Sequence, residues 1–262
     1  MKKNVLALSI AAMIGGLGFA GAASAVVLNG TATPTATTLG ATNADAFDLS
    51  NGGVGHNLIV PYFTAQDGNM TVLHLTNTDV NNGKAVKVRF RGAANSDDIL
   101  DFQVLLSPGD VWTGAVTAGA DGVAQLTTAD GTCTVPTLTK GVAQSFDTRR
   151  LQSSLSAADK AAGTREGYVE IFNMADIPDA AVYGALKIAK SDLFTAIKHV
   201  GGVAPCTASV IDTALLETNY TGATADAAGF ATPTTGLMGD WYIINVAKTT
   251  TFSGGATALT AV

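Results

Sequence analysis

Three aspartates in the middle of the chain are the side chains most suited to holding a metal. Asp97 and Asp98 follow Asn95 and Ser96, and Asp101 comes shortly after them. Ca²⁺ takes about six to eight oxygen ligands, many of them from loops. The run therefore predicts either a calcium site or a polar turn whose acids face basic side chains. Because a full ligand set is not visible in the sequence, we assign no metal and no cofactor, and Ca²⁺ is the ion to test.

Tyr62, Trp112 and Trp241 are the candidates for binding a sugar, since flat aromatic rings with a polar edge are suited to recognition surfaces. The competing interpretation places these rings in the core, where large aromatic side chains dominate the burial energy. Phe63 and Tyr242 are further candidates. Tyr62 is the best placed of the five, because Pro61 beside it favours a sheet edge or a β-bulge.

Enzyme chemistry has no local signature in this chain. The three histidines stand apart, without HxH or HExxH spacing and without paired Cys and His ligands. There is no GxSxG motif; Ser107 lies in a predicted turn and Ser191 at a predicted helix cap. We therefore assign no catalytic residues and predict that the protein is not an enzyme. A secreted enzyme is the third functional alternative.

The first 25 residues have the pattern of a removable export signal. Two lysines precede an apolar run from Val5 to about Ala20, and the small residues Ala23-Ser24-Ala25 follow. Cleavage before Val26 leaves 13 of the 15 basic residues and all 21 acidic ones. This acidic balance argues against nucleic-acid binding, which depends on Lys and Arg at phosphates. No later apolar stretch is long enough for a transmembrane segment.

Cys133 and Cys206 are the only two cysteines, and neither belongs to a CxxC motif. An even count in an exported chain predicts a disulfide bond. Two free thiols are the alternative. We expect the bond to tie a helical insertion to the loop that follows the first group of strands.

Alternation of apolar and polar residues predicts β-strands, and it is clearest over residues 84–91. There, three apolar side chains share one face and three basic ones share the other, namely Val86, Val88 and Phe90 against Lys87, Arg89 and Arg91. An antiparallel pair with residues 99–106 sets Val88 opposite Phe102 and Arg89 opposite Asp101. The basic row is therefore predicted as a solvated face with an exposed ion pair, in preference to a dock for an anionic polysaccharide.

Further strands are predicted at 56–64, 70–77, 111–116, 167–174 and 241–246, several of them followed by turn residues. Helices are predicted at 156–162, 191–199 and 208–217, the first two with serine N-caps. Residues 26–55, rich in Thr, Ala and Gly, are predicted to form an extended leader.

Several motifs between Leu58 and Thr113 occur together: VPYFT, a TNTD turn, GKAVKVRFRGAANSDDILDF and LSPGDVW. With the later segments REGYVEIFNM and DWYIINVA, they resemble a group of secreted bacterial proteins labelled cell surface proteins. The resemblance covers most of residues 56–252. It implies export and a surface location, and it supplies no catalytic residues.

Short strands joined by turns, with helix signals confined to the second half, predict an all-β fold. We expect an antiparallel β-sandwich, immunoglobulin-like or jelly-roll-like, with a small helical insertion. The predicted organisation is a signal peptide at 1–25, the leader at 26–55, and a sandwich domain at 56–262 with the insertion at about 150–220.

These observations favour a non-catalytic exported structural protein of the bacterial cell surface or extracellular matrix. Its expected partner is itself, in a layer or filament built by strand addition from the leader. The main alternative is a carbohydrate-binding or adhesion module whose partner is a surface polysaccharide. No nucleic-acid partner is expected.

Overall fold

A computed structural model describes residues 46–179, 191–215 and 222–261 of the chain. The strands are β1 (Phe47–Leu49), β2 (Asn57–Thr64), β3 (Met70–Asn77), β4 (Asn82–Gly92), β5 (Asp98–Leu106), β6 (Val111–Ala118), β7 (Ala124–Thr127), β8 (Cys133–Val135), β9 (Gln144–Ser145), β10 (Glu166–Pro178), β11 (Leu237–Asn245), β12 (Thr250–Gly255) and β13 (Thr257–Ala261). The helices are α1 (Ala157–Gly163), α2 (Asp192–Ile197), α3 (Ala208–Leu215) and α4 (Gly222–Ala228). The predicted signal peptide and most of the predicted leader lie outside the described residues.

The strands form two antiparallel sheets packed as a sandwich, so the predicted all-β fold with few helices is confirmed. The seven-stranded sheet has the order β1-β13-β2-β10-β4-β5-β8, and the six-stranded sheet has the order β12-β11-β3-β6-β7-β9. The chain crosses between the sheets at several points, for example from β2 to β3 and from β12 to β13. Residues distant in sequence therefore meet across the same core.

The main core lies between the sheets and is built from alternate residues of each strand. The predicted apolar face of β4 lies in it, as expected from its alternation. Aromatic rings meet at its centre: Phe63 packs edge-on against Phe90 at 5.2 Å, and Phe102 lies 5.4 Å from Trp112. Burial of such large side chains is the dominant favourable contribution to folding.

A second apolar cluster lies on the outer face of the seven-stranded sheet, beneath α2, α3 and α4. Leu193, Phe194 and Ile197 of α2 are buried there together with Ala85 of β4 and Leu105 of β5. Both predicted serine N-caps are confirmed, because each hydroxyl accepts a hydrogen bond from a backbone N–H in the first turn. No helix in the described part of the chain is both long and apolar enough to span a membrane.

The predicted disulfide between Cys133 and Cys206 is confirmed, with Cα atoms 5.3 Å apart. Cys133 belongs to β8 at the end of the seven-stranded sheet, and Cys206 precedes α3. The bond therefore fastens the helical layer to a sheet edge, close to the position expected from the sequence.

Strand β4 is buried on both faces, which corrects the predicted solvated basic face. The predicted register is confirmed, with Arg89 opposite Asp101. Lys87 and Arg89, however, are only 3% and 4% exposed. The basic side chains are enclosed because β4 lies between β10 and β5, which carry the acidic partners Glu170 and Asp98. Arg150, from a distant loop, also pairs with Asp98. The predicted exposed ion pair is therefore wrong.

Two predicted boundaries also differ from the structure. β1 falls inside the predicted leader, yet it pairs with β13 and so belongs to the seven-stranded sheet. The predicted insertion at 150–220 contains β10, which pairs with both β2 and β4 in the middle of that sheet. The helices therefore lie on both sides of β10 in sequence and do not form one continuous insertion.

The turn between β3 and β4 is organised by the side chain of Asp79. Its carboxylate accepts hydrogen bonds from the backbone N–H groups of Asn81 and Asn82 at 2.8 and 3.0 Å, and from the Asn82 amide at 2.8 Å. Burial by itself would raise the pKa of Asp79, but these hydrogen bonds outweigh it and lower the pKa below its usual value. The turn is thus built around the ionised form.

Removing the disulfide by the double substitution Cys133→Ala, Cys206→Ala should lower the free energy of unfolding by about 4 kcal/mol, as expected for a crosslink that closes a long loop. Urea denaturation followed by circular dichroism measures this change. Reductant should destabilise the wild type to a similar extent and leave the double variant unaffected. An equal response of both proteins to reductant would contradict the assignment.

The substitution Asp79→Asn should lower the free energy of unfolding by about 1 kcal/mol near neutral pH, since the turn is partly exposed and charge-assisted hydrogen bonds become neutral ones. The folded-state pKa lies below the model-peptide value of 3.8, so this contribution is present above that value and disappears as the pH falls through the folded pKa. Urea midpoints of both proteins should therefore differ at neutral pH and converge in acid. A constant difference would refute the role of the charge.

Candidate functional site

Two end strands of the sandwich meet on one side of the molecule, which we call the open side and define by β1 and β12. β1 ends the seven-stranded sheet, and β12 ends the six-stranded sheet. Only Ala256 separates β12 from β13, the neighbour of β1, so both end strands lie on the same side. Such strands present unpaired backbone N–H and C=O groups on their outer edges.

Large apolar side chains are exposed along the open side. Phe47 and Leu49 of β1 are 51% and 70% exposed, and Phe252 of β12 is 64% exposed. β12 contains neither a charged residue nor a proline, which are common features that keep an edge strand from pairing with other chains. The open side therefore has the features of an edge that can accept another strand.

The opposite side, which we call the closed side, is defined by β8 and β9. All three residues of β8 are buried, and the disulfide holds the helical segment against it. β9 has only two residues. Short or covered edge strands are poor templates for pairing, so the two sides of the sandwich differ in their capacity for strand addition.

Two of the aromatic candidates from the sequence are exposed, Tyr62 at 41% and Tyr242 at 36%. Tyr62 follows Pro61 in a bulge of the β2–β10 pairing, where the register shifts between Gly167 and Val169. Of the two predicted positions, a sheet edge or a bulge, the structure shows the bulge, in a strand that lies between β13 and β10. The Tyr62 hydroxyl donates a hydrogen bond to Glu166 at 3.1 Å. Partial burial, together with this carboxylate, raises the pKa of Tyr62.

The candidates Trp112 and Trp241 face inwards, as does Phe63, which is completely buried in the main core. Trp112 is 1% exposed and packs against Phe102 in the main core, so its prediction as a surface binding residue is wrong. Trp241 is half-buried and also packs on this core, with its indole so close to Gly254 that a Cβ there would lie 2.7 Å from the ring. Both residues occupy core-facing positions of their strands, which sequence alternation did not resolve.

A polar and aromatic cluster on the outer face of the six-stranded sheet escaped the sequence analysis as a group. His74 Nδ1 lies 2.8 Å from Asp240 Oδ1, and the His74 ring packs edge-on against Tyr242 at 5.6 Å. His74 and Asp240 are directly opposite each other in the β3–β11 pairing. The alternation in each strand indicates that these residues face outwards. The sequence does not show that β3 and β11 pair, because 166 residues separate His74 from Asp240.

Two of the three aspartates considered for calcium are paired with basic side chains. Asp97 lies in the turn before β5, whereas Asp98 and Asp101 form ion pairs with three basic side chains, namely Arg89, Arg150 and Lys87. Burial, followed by the neighbouring Asp101, raises the pKa of Asp98. Among the described residues, no group of three or more His, Cys, Asp or Glu side chains is arranged to hold a metal. The arrangement matches the interpretation as a charged strand pair.

Ser107, His199 and Asp110 come together although they were not grouped in the sequence analysis. The Ser107 hydroxyl lies 2.9 Å from His199 Nδ1, and Asp110 Oδ2 lies 3.5 Å from the same nitrogen. A catalytic triad requires the serine and the acid on opposite ring nitrogens, so this group lacks that relay. Its contacts fix the segment after α2 to the turn between β5 and β6.

A cleft of about 280 Å³ lies beside the disulfide, between residues 130–140 and α3. Its charged lining residues are Asp130, Lys140 and Asp212. The two disulfide cysteines line this cleft, whereas none of the residues that the sequence suggested for binding does.

In comparisons with known proteins, no protein-family model, no curated protein and no solved structure matches this chain. The resemblance of residues 58–113 to secreted bacterial cell surface proteins therefore stays a prediction.

Proposed function

We propose that this protein is a non-catalytic, exported structural protein of the bacterial cell surface or matrix that assembles with copies of itself through its open side. The observation that carries the proposal is the pair of end strands, β1 and β12, which have no outer partner strand among the described residues and carry the exposed side chains of Phe47, Leu49 and Phe252. A strand from a second copy would pair with the backbone of β12 and cover Phe252. Main-chain hydrogen bonds supply affinity in this mode of association, and side-chain contacts supply specificity.

The segment proposed to add is the leader of a second copy, residues 26–45, which precedes β1 directly in the chain. Its sequence places threonine at alternate positions, Thr31, Thr33, Thr35 and Thr37. Threonine favours strands, and Pro34 restricts such a strand to an edge because proline lacks the backbone donor. A leader that leads into one end strand of its own copy is well placed to reach a neighbouring copy.

The test is the mass distribution of the mature chain from Val26, measured under oxidising conditions by light scattering, with electron microscopy of the same sample. We expect large ordered species from the full mature chain and their loss when residues 26–45 are deleted. Phe252→Lys should reduce assembly about tenfold at equal concentration, because a charge at an edge opposes pairing. The matched control is Val142→Lys, at an exposed position away from the open side. A monomer at all concentrations would refute the proposal, as would an equal effect of both lysine variants.

The second candidate function is a carbohydrate-binding or adhesion module, which the cluster of Tyr242, His74 and Asp240 favours. Tyr242 is 36% exposed on the outer face of the six-stranded sheet, with the Asp240 carboxylate and the His74 ring nearby. An exposed aromatic ring next to hydrogen-bonding groups suits the apolar face and the hydroxyls of a sugar. On this alternative the protein stays monomeric and binds a surface polysaccharide.

Cellulose and maltose oligosaccharides serve as probes for this alternative, with the melting temperature and calorimetric binding as readouts. Tyr242→Ala should weaken binding about tenfold if its ring stacks on the sugar. The control is Tyr62→Ala, which removes an equally exposed tyrosine from the other sheet. A response of Tyr62→Ala alone would move the site to β2, and binding of no oligosaccharide would refute this alternative for these glycans.

A further inference from the structure

A buried polar group at one end of the sandwich joins β4, β10 and the segment before β11. Its members are Lys84, Asn173, Asp176 and Thr234. Lys84 Nζ lies 2.8 Å from Asp176 Oδ1, and both side chains are completely inaccessible to solvent. The Asn173 amide donates hydrogen bonds to the same Asp176 Oδ1 at 3.0 Å and to the Thr234 carbonyl oxygen at 2.9 Å.

The backbone is shaped to bring these side chains together. Lys84 is directly opposite Asp176 in the β4–β10 pairing. Asn173 and Asp176 are three residues apart and would face opposite sides of a regular strand, but the register shifts between Asn173 and Ala175. This bulge returns Asp176 to the side that Asn173 faces. The packing is tight, since a Cβ at Gly236 would lie 2.9 Å from Lys84 Cε.

Two nitrogen atoms in this group, Lys84 Nζ and Asn173 Nδ2, share the same two acceptor oxygens. Lys84 Nζ contacts Asp176 Oδ1 and lies 3.4 Å from the Thr234 carbonyl oxygen, and Asn173 Nδ2 bonds to both of these oxygens. The Asp176 carboxylate therefore bridges the amine of Lys84 and the amide of Asn173 and holds the two groups in one small buried space. Reacting groups held in this way have a very high effective concentration.

The dry surroundings also favour reaction. Charges in an apolar interior are costly, and passing a proton from the Lys84 ammonium to Asp176 removes both of them. The resulting neutral amine is a nucleophile. The protonated Asp176 is then a general acid within hydrogen-bond distance of the nitrogen that must leave.

We propose that Lys84 and Asn173 form an intramolecular amide crosslink, with Asp176 moving the protons. Lys84 Nζ attacks the Asn173 side-chain carbon, one C–N bond forms, and the bond from that carbon to Nδ2 breaks. Asp176 accepts one proton from the Lys84 ammonium and delivers it to Asn173 Nδ2 as that nitrogen departs. The attacking Lys84 nitrogen loses a second proton when it becomes an amide, and Nδ2 leaves with both protons as ammonium. No atom changes oxidation state, and Asp176 ends as the carboxylate that it was at the start. The product joins β4 to β10 covalently. The crosslink would form whether or not the protein assembles through its open side.

The test is the intact mass of the mature wild-type chain after reduction and denaturation, measured by electrospray mass spectrometry. We expect a mass lower than the sequence mass by one ammonia molecule, and a branched tryptic peptide that joins the segments around Lys84 and Asn173. An unchanged mass overturns the proposal. Loss of one water instead would place the bond between Lys84 and Asp176 and overturn the role of Asn173.

Variants check the assignment with the same readout. Lys84→Arg should restore the full sequence mass, whereas Lys87→Arg, at another buried ion-paired lysine of β4, should keep the ammonia deficit. Asn173→Asp should lose water in place of ammonia, because the leaving group changes. Asp176→Asn keeps both reacting side chains and should show the full mass if Asp176 moves the protons. The wild-type mass decides the proposal even if a variant fails to fold.

Discussion

The pairing of β4 with β10 is the interaction on which the rest of the structure depends. The two strands run side by side from Asn82 to Gly92 in the middle of the seven-stranded sheet. Their inner faces supply the core that this sheet shares with the six-stranded sheet, and their outer faces carry the apolar cluster beneath the helices. The buried contact of Lys84 with Asp176 and Thr234 also fixes the segment that leads into β11. Separation of these two strands would expose both cores together, which makes folding of the sheet and of the helical layer one cooperative event.

The features that the sequence predicts well are those determined by interactions between residues close together in the chain. The serine caps at Ser156 and Ser191 depend only on the next three residues, and both hydroxyls accept the expected hydrogen bonds. The register of β4 and β5 follows from a compact loop and from two apolar rows that must face one core, and Val88 does lie opposite Phe102. The disulfide follows from the count of cysteines and the expected compartment, although its place at the edge of a sheet does not.

The features that the sequence does not predict depend on contacts between residues far apart in the chain. β12 and β13 consist mainly of Thr, Gly, Ser and Ala, with only Phe252 and Leu259 as large apolar residues, so they become strands through their pairing partners and not through an apolar period. The basic row of β4 is buried because strands on both sides and Arg150 enclose it. The group around Tyr242 needs the pairing of β3 with β11. Asn173 and Asp176 share a side only because of a bulge, which their spacing in a strand argues against.

The constraints of the molecule are distributed unevenly between its two sides. The disulfide fastens the closed side, and the buried Lys84 group fastens the centre of the seven-stranded sheet. The open side has neither: β1 is held to β13 by three residue pairs, and β13 to β2 by three more. β12 is held to β11 by six residue pairs, and on the closed side β9 is held to β7 by two. The two sides therefore differ in the disulfide and in the exposure of their end strands, and not in the number of paired residues. In the proposed assembly, a strand added beside β1 or β12 meets the sandwich away from both the disulfide and the Lys84 group. It can therefore pair with an end strand without separating the central strands that hold the core.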